Sequence, residues 1–288
     1  MNRPEILVSY AQNHEDIVLA RIFEPWKRHG HWIDVGAGHP VFDSVTKLFS
    51  DFGWTGINLE PLAEEFDLLR TERPDDFNLR VAVGSSPCSA PIFEGPPESR
   101  GTSTMIRNFA YEIDGEPYKT SFVNVLPLQS IVDAAQWPID FVKIDVEGYE
   151  TEVINSLDWR SASIELVVIE STSPNSSVPT YRSWEPLLLE AGYEFRLFDG
   201  LNRYYSRSDF ARHLNGLLSD PWYPATAQDS FLPFQLKQLS DQVQHLQTNV
   251  QTLSLSNQER LDYIQSLLSR LKFLEENVLE LTQIGRAH

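Results

Sequence analysis

Between residues 6 and 218, short runs of β-branched, aliphatic and aromatic residues alternate with polar stretches of helical period, which predicts an α/β domain on a mainly parallel sheet. The runs lie at 31–35, 56–60, 79–83, 141–146, 164–170, 193–198 and 202–206. Only Asp199-Gly200-Leu201 separates the last two. That is too short for a crossover, so it reads as a hairpin turn with the final strand antiparallel. Residues 84–120, rich in Gly, Pro and Ser, break the rhythm and are expected to form an irregular insertion. Such an insertion acts as a functional lid, with Gly101-Thr102-Ser103-Thr104 supplying its flexibility, or remains a surface loop without fixed structure.

The period changes after residue 218. Residues 219–235 contain three prolines and read as a linker. Residues 236–284 then keep a single heptad frame, with Leu236, Val243, Val250, Asn257, Ile264, Leu271 and Val278 at a, and Leu239, Leu246, Leu253, Arg260, Leu267, Leu274 and Leu281 at d. Only Asn257 and Arg260 interrupt the apolar seam. Mostly β-branched residues at a with Leu at d predict a parallel two-stranded coiled coil and hence a homodimer, whose register Asn257 fixes. The alternative is an amphipathic helix packed on its own chain, since Leu261 and Leu268 at e widen the apolar face. The expected layout is a globular domain over 1–218, a linker over 219–235, a coiled coil over 236–284 and a tail over 285–288.

Composition narrows the function classes. A formal net charge of −18 and a pI near 4.7 exclude a binder that works by neutralising nucleic-acid phosphates. No apolar run is long enough to span a bilayer, the start MNRPEILVSY has no secretory pattern, and the single Cys88 makes no intramolecular disulfide. A cytoplasmic protein is expected. Cys88, without a basic neighbour, reads as inert, and the seven Trp are assigned no role beyond the core.

The first candidate for chemistry is Asp34-Val35-Gly36-Ala37-Gly38-His39, a Gly-x-Gly turn directly after an apolar run and ahead of a helical stretch at 44–52. This is where an open α/β sheet binds a nucleoside, although a tight strand-to-helix turn needs the same glycines. Glu60 closes the next run, where an acidic side chain can accept from ribose hydroxyls. Asp34, Asp145 and Glu147 crowd the same end with negative charge and would repel a pyrophosphate. S-adenosylmethionine carries a sulfonium and an ammonium, so the same carboxylates attract it.

Several segments together resemble the FkbM family of S-adenosylmethionine-dependent O-methyltransferases, in the bacterial branch associated with polysaccharide and glycan modification. They are Ser9-Tyr10-Ala11-Gln12-Asn13-His14-Glu15-Asp16, the 33–40 turn with 43–47, Gly53-Trp54-Thr55-Gly56-Ile57-Asn58-Leu59-Glu60-Pro61, Phe141-Val142-Lys143-Ile144-Asp145-Val146-Glu147-Gly148-Tyr149-Glu150, Trp184-Glu185-Pro186 and Asp199-Gly200-Leu201-Asn202-Arg203. The resemblance implies a class I methyltransferase, a Rossmann-like seven-stranded sheet with an antiparallel last strand. It places Asp34, Gly36 and Gly38 near the methionine end of the cofactor, Glu60 at the ribose, and Ala82 and Val83 beside the adenine, with Ala37, Ser44 and Pro61 also counted among the cofactor-binding residues. Gln12 and Asp145 are further cofactor contacts. Pro40 stands where many class I enzymes have a third small residue.

Methyl transfer to a hydroxyl requires alignment of the acceptor oxygen and removal of its proton. The candidates are Asp145, Glu147 and Glu170 at the ends of two runs, and His39, which is favoured over His14 by its place beside the turn. Each also has an ordinary structural reading, as a helix cap, a first-turn helix charge or a core histidine. The three carboxylates are also a possible ligand set for a divalent cation that lowers the acceptor's pKa. The expected activity is methylation of a sugar hydroxyl in a glycan, glycolipid or activated precursor. The rival is a non-catalytic scaffold that recruits glycan-assembly proteins through its C-terminal helix.

Overall fold

Strands buried on both faces read as nearly continuous Ile, Val and Leu, and such strands form the middle of a parallel sheet. In the computed structural model, which describes residues 7–96, 101–108, 119–173, 178–208, 210, 231–252 and 258–284, the chain divides into two compact units. One comprises residues 1–3 with 11–223, the other residues 4–10 with 224–288.

Counting from β1 (Leu7–Ser9), the larger sheet of the first unit contains His31–Val35 (β2), Thr55–Leu59 (β3), Phe77–Leu79 (β4), Ile139–Ile144 (β8), Ile164–Glu170 (β9), Tyr193–Phe198 (β10) and Asn202–Arg207 (β11). Its order is β4-β3-β2-β8-β9-β11-β10, and only β11 runs antiparallel to its neighbours. This is the expected seven-stranded α/β fold with its hairpin end. Leaving β2, the chain moves outward through β3 and β4 and then returns to β8 on the other side of β2. The carboxyl ends of β2 and β8 therefore flank the point where the order reverses, which is where such sheets open a crevice.

Ile33, Val35, Ile57, Leu59, Val142, Ile144, Val167 and Ile169 fill one core cluster. Trp32, Trp54 and Trp184 are fully buried. Among the helices, Glu15–Phe23 (α1), Lys47–Asp51 (α2), Ala63–Glu72 (α3), Leu128–Ala134 (α4), Glu150–Ile154 (α5) and Glu185–Glu190 (α6) belong to this unit. The helix expected over 44–52 is confined to α2.

Two expectations are corrected here. The run at 79–83 is split: Phe77–Leu79 stays in the large sheet, while Ala82–Val83 (β5) leaves it to pair with Lys119–Leu126 (β7), which in turn pairs with Cys88–Glu94 (β6). The 84–120 insertion is thus not irregular throughout. Pro91 hid β6 in the sequence, and it is tolerated because β6 is an edge strand of the order β5-β7-β6. Residues 97–100 and 109–118 lie outside the described residues. Cys88 is exposed at the start of β6.

In the second unit, Phe231–Pro233 (β12), inside the expected linker, pairs parallel with β1. Two helices are described within the range expected for the coiled coil, Phe234–Thr252 (α7) and Gln258–Ile284 (α8), and they contact one another. Of the heptad positions, Leu236, Leu239, Val243 and Leu246 on α7 are half-buried, Ile264 and Leu267 on α8 are buried, and Leu271, Leu274 and Val278 are half-buried. Leu253 and Asn257 lie outside the described residues. No described helix is long and apolar enough to cross a membrane.

A buried polar knot ties α1 to the β10–β11 hairpin. Glu15 accepts from the Asn202 amide at 2.7 Å and from the Asn13 backbone N–H at 2.9 Å, while Asp199 accepts from the Tyr204 hydroxyl at 2.8 Å. Burial above all, and then the Asp199 charge, push the Glu15 carboxyl from 4.5 up to about 8. The folded protein therefore holds a proton that the unfolded chain releases. The stability this contributes is complete below pH 4.5 and lost as pH rises through 8. Glu15→Gln is expected to remove on the order of 3 kcal/mol of that pH-dependent loss. Urea midpoints at pH 5 and pH 8 measure it: the variant's midpoint should fall less than the wild type's, and parallel falls would show that Glu15 is not the group.

Candidate active site

The chain leaves β2 through a loop held by hydrogen bonds from the backbone N–H groups of Gly36 and Ala37 to the Leu59 carbonyl, at 3.0 and 3.2 Å. Asp145 N–H donates to the Val35 carbonyl at 3.0 Å, drawing the end of β8 alongside. Gly36 has φ +77°, and a Cβ there would stand 1.9 Å from the Asp145 carbonyl oxygen. Gly38 also has a positive φ, +59°, but open space around its missing Cβ. The two glycines do different work: Gly36 permits close backbone approach, while Gly38 turns the chain.

Both carboxylate oxygens of Glu60, just beyond β3, accept backbone N–H groups at 2.8 Å, one from Gly38 and one from Leu62. Burial pushes this carboxyl up to about 7, with the two backbone donors pulling the other way. Each oxygen keeps a second lone pair for a ligand hydroxyl.

These elements surround a cavity of about 780 Å³. Of the residues singled out in the sequence, it is lined by Gln12, Gly36, Ala37, Gly38, His39, Glu60, Pro61, Ala82, Val83, Asp145, Glu147 and Glu170. Two others lie behind the wall. Asp34 is buried, accepting from the Thr46 hydroxyl at 3.1 Å, and Ser44 is buried 3.5 Å from the Arg73 guanidinium. Arg73 pairs with Asp76 at 2.7 Å and also donates to Thr46, so one buried network underlies the loop.

Lys143 is the cation at the centre. Strand register sets it beside Asp34, and its ammonium donates to the Gly36 carbonyl at 2.9 Å, with Asp145 at 3.3 Å and Asp34 at 3.5 Å. Burial opposes its charge, but Asp145 and Asp34 more than offset that and hold its pKa above the usual lysine value. For Asp34 burial wins, and its carboxyl is pushed up despite the pull of Lys143 and Arg73.

Asp145, Glu147 and Glu170 converge, each offering an oxygen within 4.8 Å of the others. Glu147 sits in the turn after β8 with φ +52°, a left-handed conformation that is uncommon for a side chain larger than glycine. Its carbonyl accepts from the Thr104 hydroxyl at 2.8 Å. Burial first, then neighbouring carboxylates, push the Glu147 and Glu170 carboxyls well up.

His39 is placed differently from a base. Its Nδ1 accepts from the backbone N–H groups of Val41 and Phe42, both at 3.1 Å, which puts the ring proton on Nε2 and makes the ring a donor. Burial lowers its pKa, against the opposing charges of Asp43 and Glu72.

The Methyltransferase FkbM domain matches residues 34–195, more than half of the chain and nearly all of this cavity. The chain belongs to the FkbM methyltransferase family. Among solved structures, it is similar to monomeric WbdD at 12% identity with a TM-score of 0.38, over 71% of this chain and 46% of WbdD. The chain thus spans less than half the length of that structure. It is also similar to Sp1610 of Streptococcus pneumoniae, a candidate tRNA (m1A22) methyltransferase, at 10% identity with a TM-score of 0.33, over 90% of this chain and 98% of the other. No curated protein matches it.

Several residues lining this FkbM cavity were not singled out in the sequence. Lys143 was visible as a lone cation inside an apolar strand, and that was its only signal. Gly101, Thr102 and Ser103, expected from the sequence in the flexible part of the insertion, line the cavity, and Ile92 and Met105 reach it from β6 and from the segment after it. No local pattern marks these last two, because they depend on where the second sheet lies.

Proposed function

We propose that this FkbM methyltransferase binds S-adenosylmethionine and methylates a sugar hydroxyl in a glycan, glycolipid or activated precursor. The observation that carries the cofactor is a cavity whose glycine loop is joined to Glu60 through the Gly38 N–H, and whose far wall holds three carboxylates. A cationic nucleoside suits both ends. The buried Oε2 of Glu170 has no hydrogen-bond partner, so the donor set fits a cationic ligand. The sugar acceptor rests on the resemblance to glycan-modifying members of the family.

The cofactor supplies an electrophilic methyl carbon. Glu60 holds the ribose hydroxyls, and Ala82, Val83 and Ile92 give the base an apolar wall. Asp145 faces the ammonium while remaining paired with Lys143. Glu147 and Glu170, whose carboxyls burial pushes toward the neutral form, hydrogen-bond and orient the acceptor hydroxyl. His39, as an Nε2–H donor, positions the acceptor. The 101–105 segment closes the acceptor side.

The homodimer is part of the same proposal. Its support is the heptad seam, although the contact between α7 and α8 within one chain already covers part of that seam.

Glu60→Ala is expected to weaken S-adenosylmethionine binding by about 1–3 kcal/mol, the effect of losing one partner of a charge-assisted hydrogen bond. Calorimetry on wild type and variant reads it, and labelled-methyl transfer to fractionated glycans identifies the acceptor. Wild-type protein that binds NAD but neither S-adenosylmethionine nor S-adenosylhomocysteine would overturn the cofactor.

A further inference from the structure

We infer that Asp145, Glu147 and Glu170 form a binding site for one hard divalent cation of the Mg2+ or Mn2+ kind, on the acceptor side of the cavity. The inference deepens the proposed function and rests on it for the cation's role, but not for its binding.

Three independent features point to the site. The first is convergence. The three side chains come from the turn after β8 and from the end of β9, and their oxygens lie within 4.8 Å of one another. Ligand oxygens around an octahedral cation at about 2.0–2.1 Å lie roughly 3–4 Å apart, so closing on the ion requires movements of about 1 Å or less.

The second is an orphan. Glu170 is only 8% exposed and lines the cavity, yet its Oε2 has no hydrogen-bond partner. A buried polar oxygen left unpaired is costly, and it points to a ligand.

The third is the charge balance. Lys143 is already shared among Asp34, Asp145 and the Gly36 carbonyl, and neither Glu147 nor Glu170 is among the partners of its ammonium. The buried Glu150 adds another carboxylate to the turn, where its Oε1 accepts from the Gly148 N–H at 3.1 Å and from Val146 N–H at 3.3 Å. One lysine is left facing several carboxylates, so a second positive centre is called for.

The backbone supports this geometry. Glu147 is held in its left-handed conformation while its carbonyl is pinned by the Thr104 hydroxyl. Three carboxylates with open positions beside them suit a hard oxygen-seeking ion that keeps water, and not a soft metal that needs thiolate or imidazole. An acceptor hydroxyl entering one of the open positions is oriented by the ion and made more acidic.

The test titrates the full-length chain with Mn2+ alone, in metal-free buffer without S-adenosylmethionine, and follows free Mn2+ by electron paramagnetic resonance. Wild type is expected to bind one equivalent. Glu170→Gln and Glu147→Gln should each weaken binding by tenfold or more, while the exposed Glu64→Gln binds like wild type. Circular dichroism and thermal melts confirm that each variant is folded. Should Glu170→Gln not fold, Glu147→Gln decides. No stoichiometric binding by wild type, or undiminished binding in a folded Glu147→Gln variant, overturns the site. Calorimetry with S-adenosylmethionine in chelator separates the two readings: cofactor binding without Mn2+ binding removes the cation alone, and Mn2+ binding without cofactor binding removes the proposed function alone.

Discussion

Lys143→Met is expected to destabilise the protein by about 3–5 kcal/mol, the range for stripping one partner from a buried ion pair. The methionine keeps an unbranched side chain one atom shorter and removes its charge. It leaves Asp34, fully buried and with Oδ1 lacking any hydrogen bond, facing only the Thr46 hydroxyl and the more distant Arg73. It also leaves the Gly36 carbonyl without its donor at 2.9 Å, directly under the loop. Urea denaturation at neutral pH reads the loss. Asp34→Asn in the same background should recover part of it, since the orphaned charge is then gone. A loss below about 1 kcal/mol would mean that Asp34 is already neutral in the folded protein, as burial alone favours.

Gly36→Ala carries the other large effect. The added Cβ meets the Asp145 carbonyl oxygen at 1.9 Å, and a backbone atom cannot rotate away. The strand ends must separate, which breaks the Asp145 N–H bond to the Val35 carbonyl and moves the carboxylate that follows. A destabilisation of about 3 kcal/mol is expected, together with loss of cofactor binding. Gly38→Ala is the control. With nothing within 4 Å of its Cβ, it should cost only the 1–2 kcal/mol, roughly, of a side chain in the left-handed region. Equal effects at the two positions, by denaturation and calorimetry, would show that the close approach at Gly36 is not what the loop requires.

The alternation of apolar runs and crossovers was enough to find six of the seven strands of the large sheet. Parallel strands buried on both faces are nearly continuous in apolar residues, so 31–35 and 164–170 could be read residue for residue. The antiparallel end was equally legible, because three residues cannot carry a crossover. The Gly-x-Gly turn and the acids at strand ends pointed to the cavity they line for a related reason: they follow strands, and strand ends in such sheets face the crevice.

Other features belonged to tertiary structure alone. Gly36 and Gly38 look alike in sequence, and only the approach of Asp145 separates them. Asp34 reads as an acid at the mouth of the turn, but its strand register sets it beside Lys143, in the core and out of the cavity. The break between Leu79 and Ala82 depends on β7 capturing β5, a pairing across more than forty residues that no local window contains. A heptad frame fixes which residues are covered but not by which helix, because a seam is satisfied equally by a second chain or by its own other half.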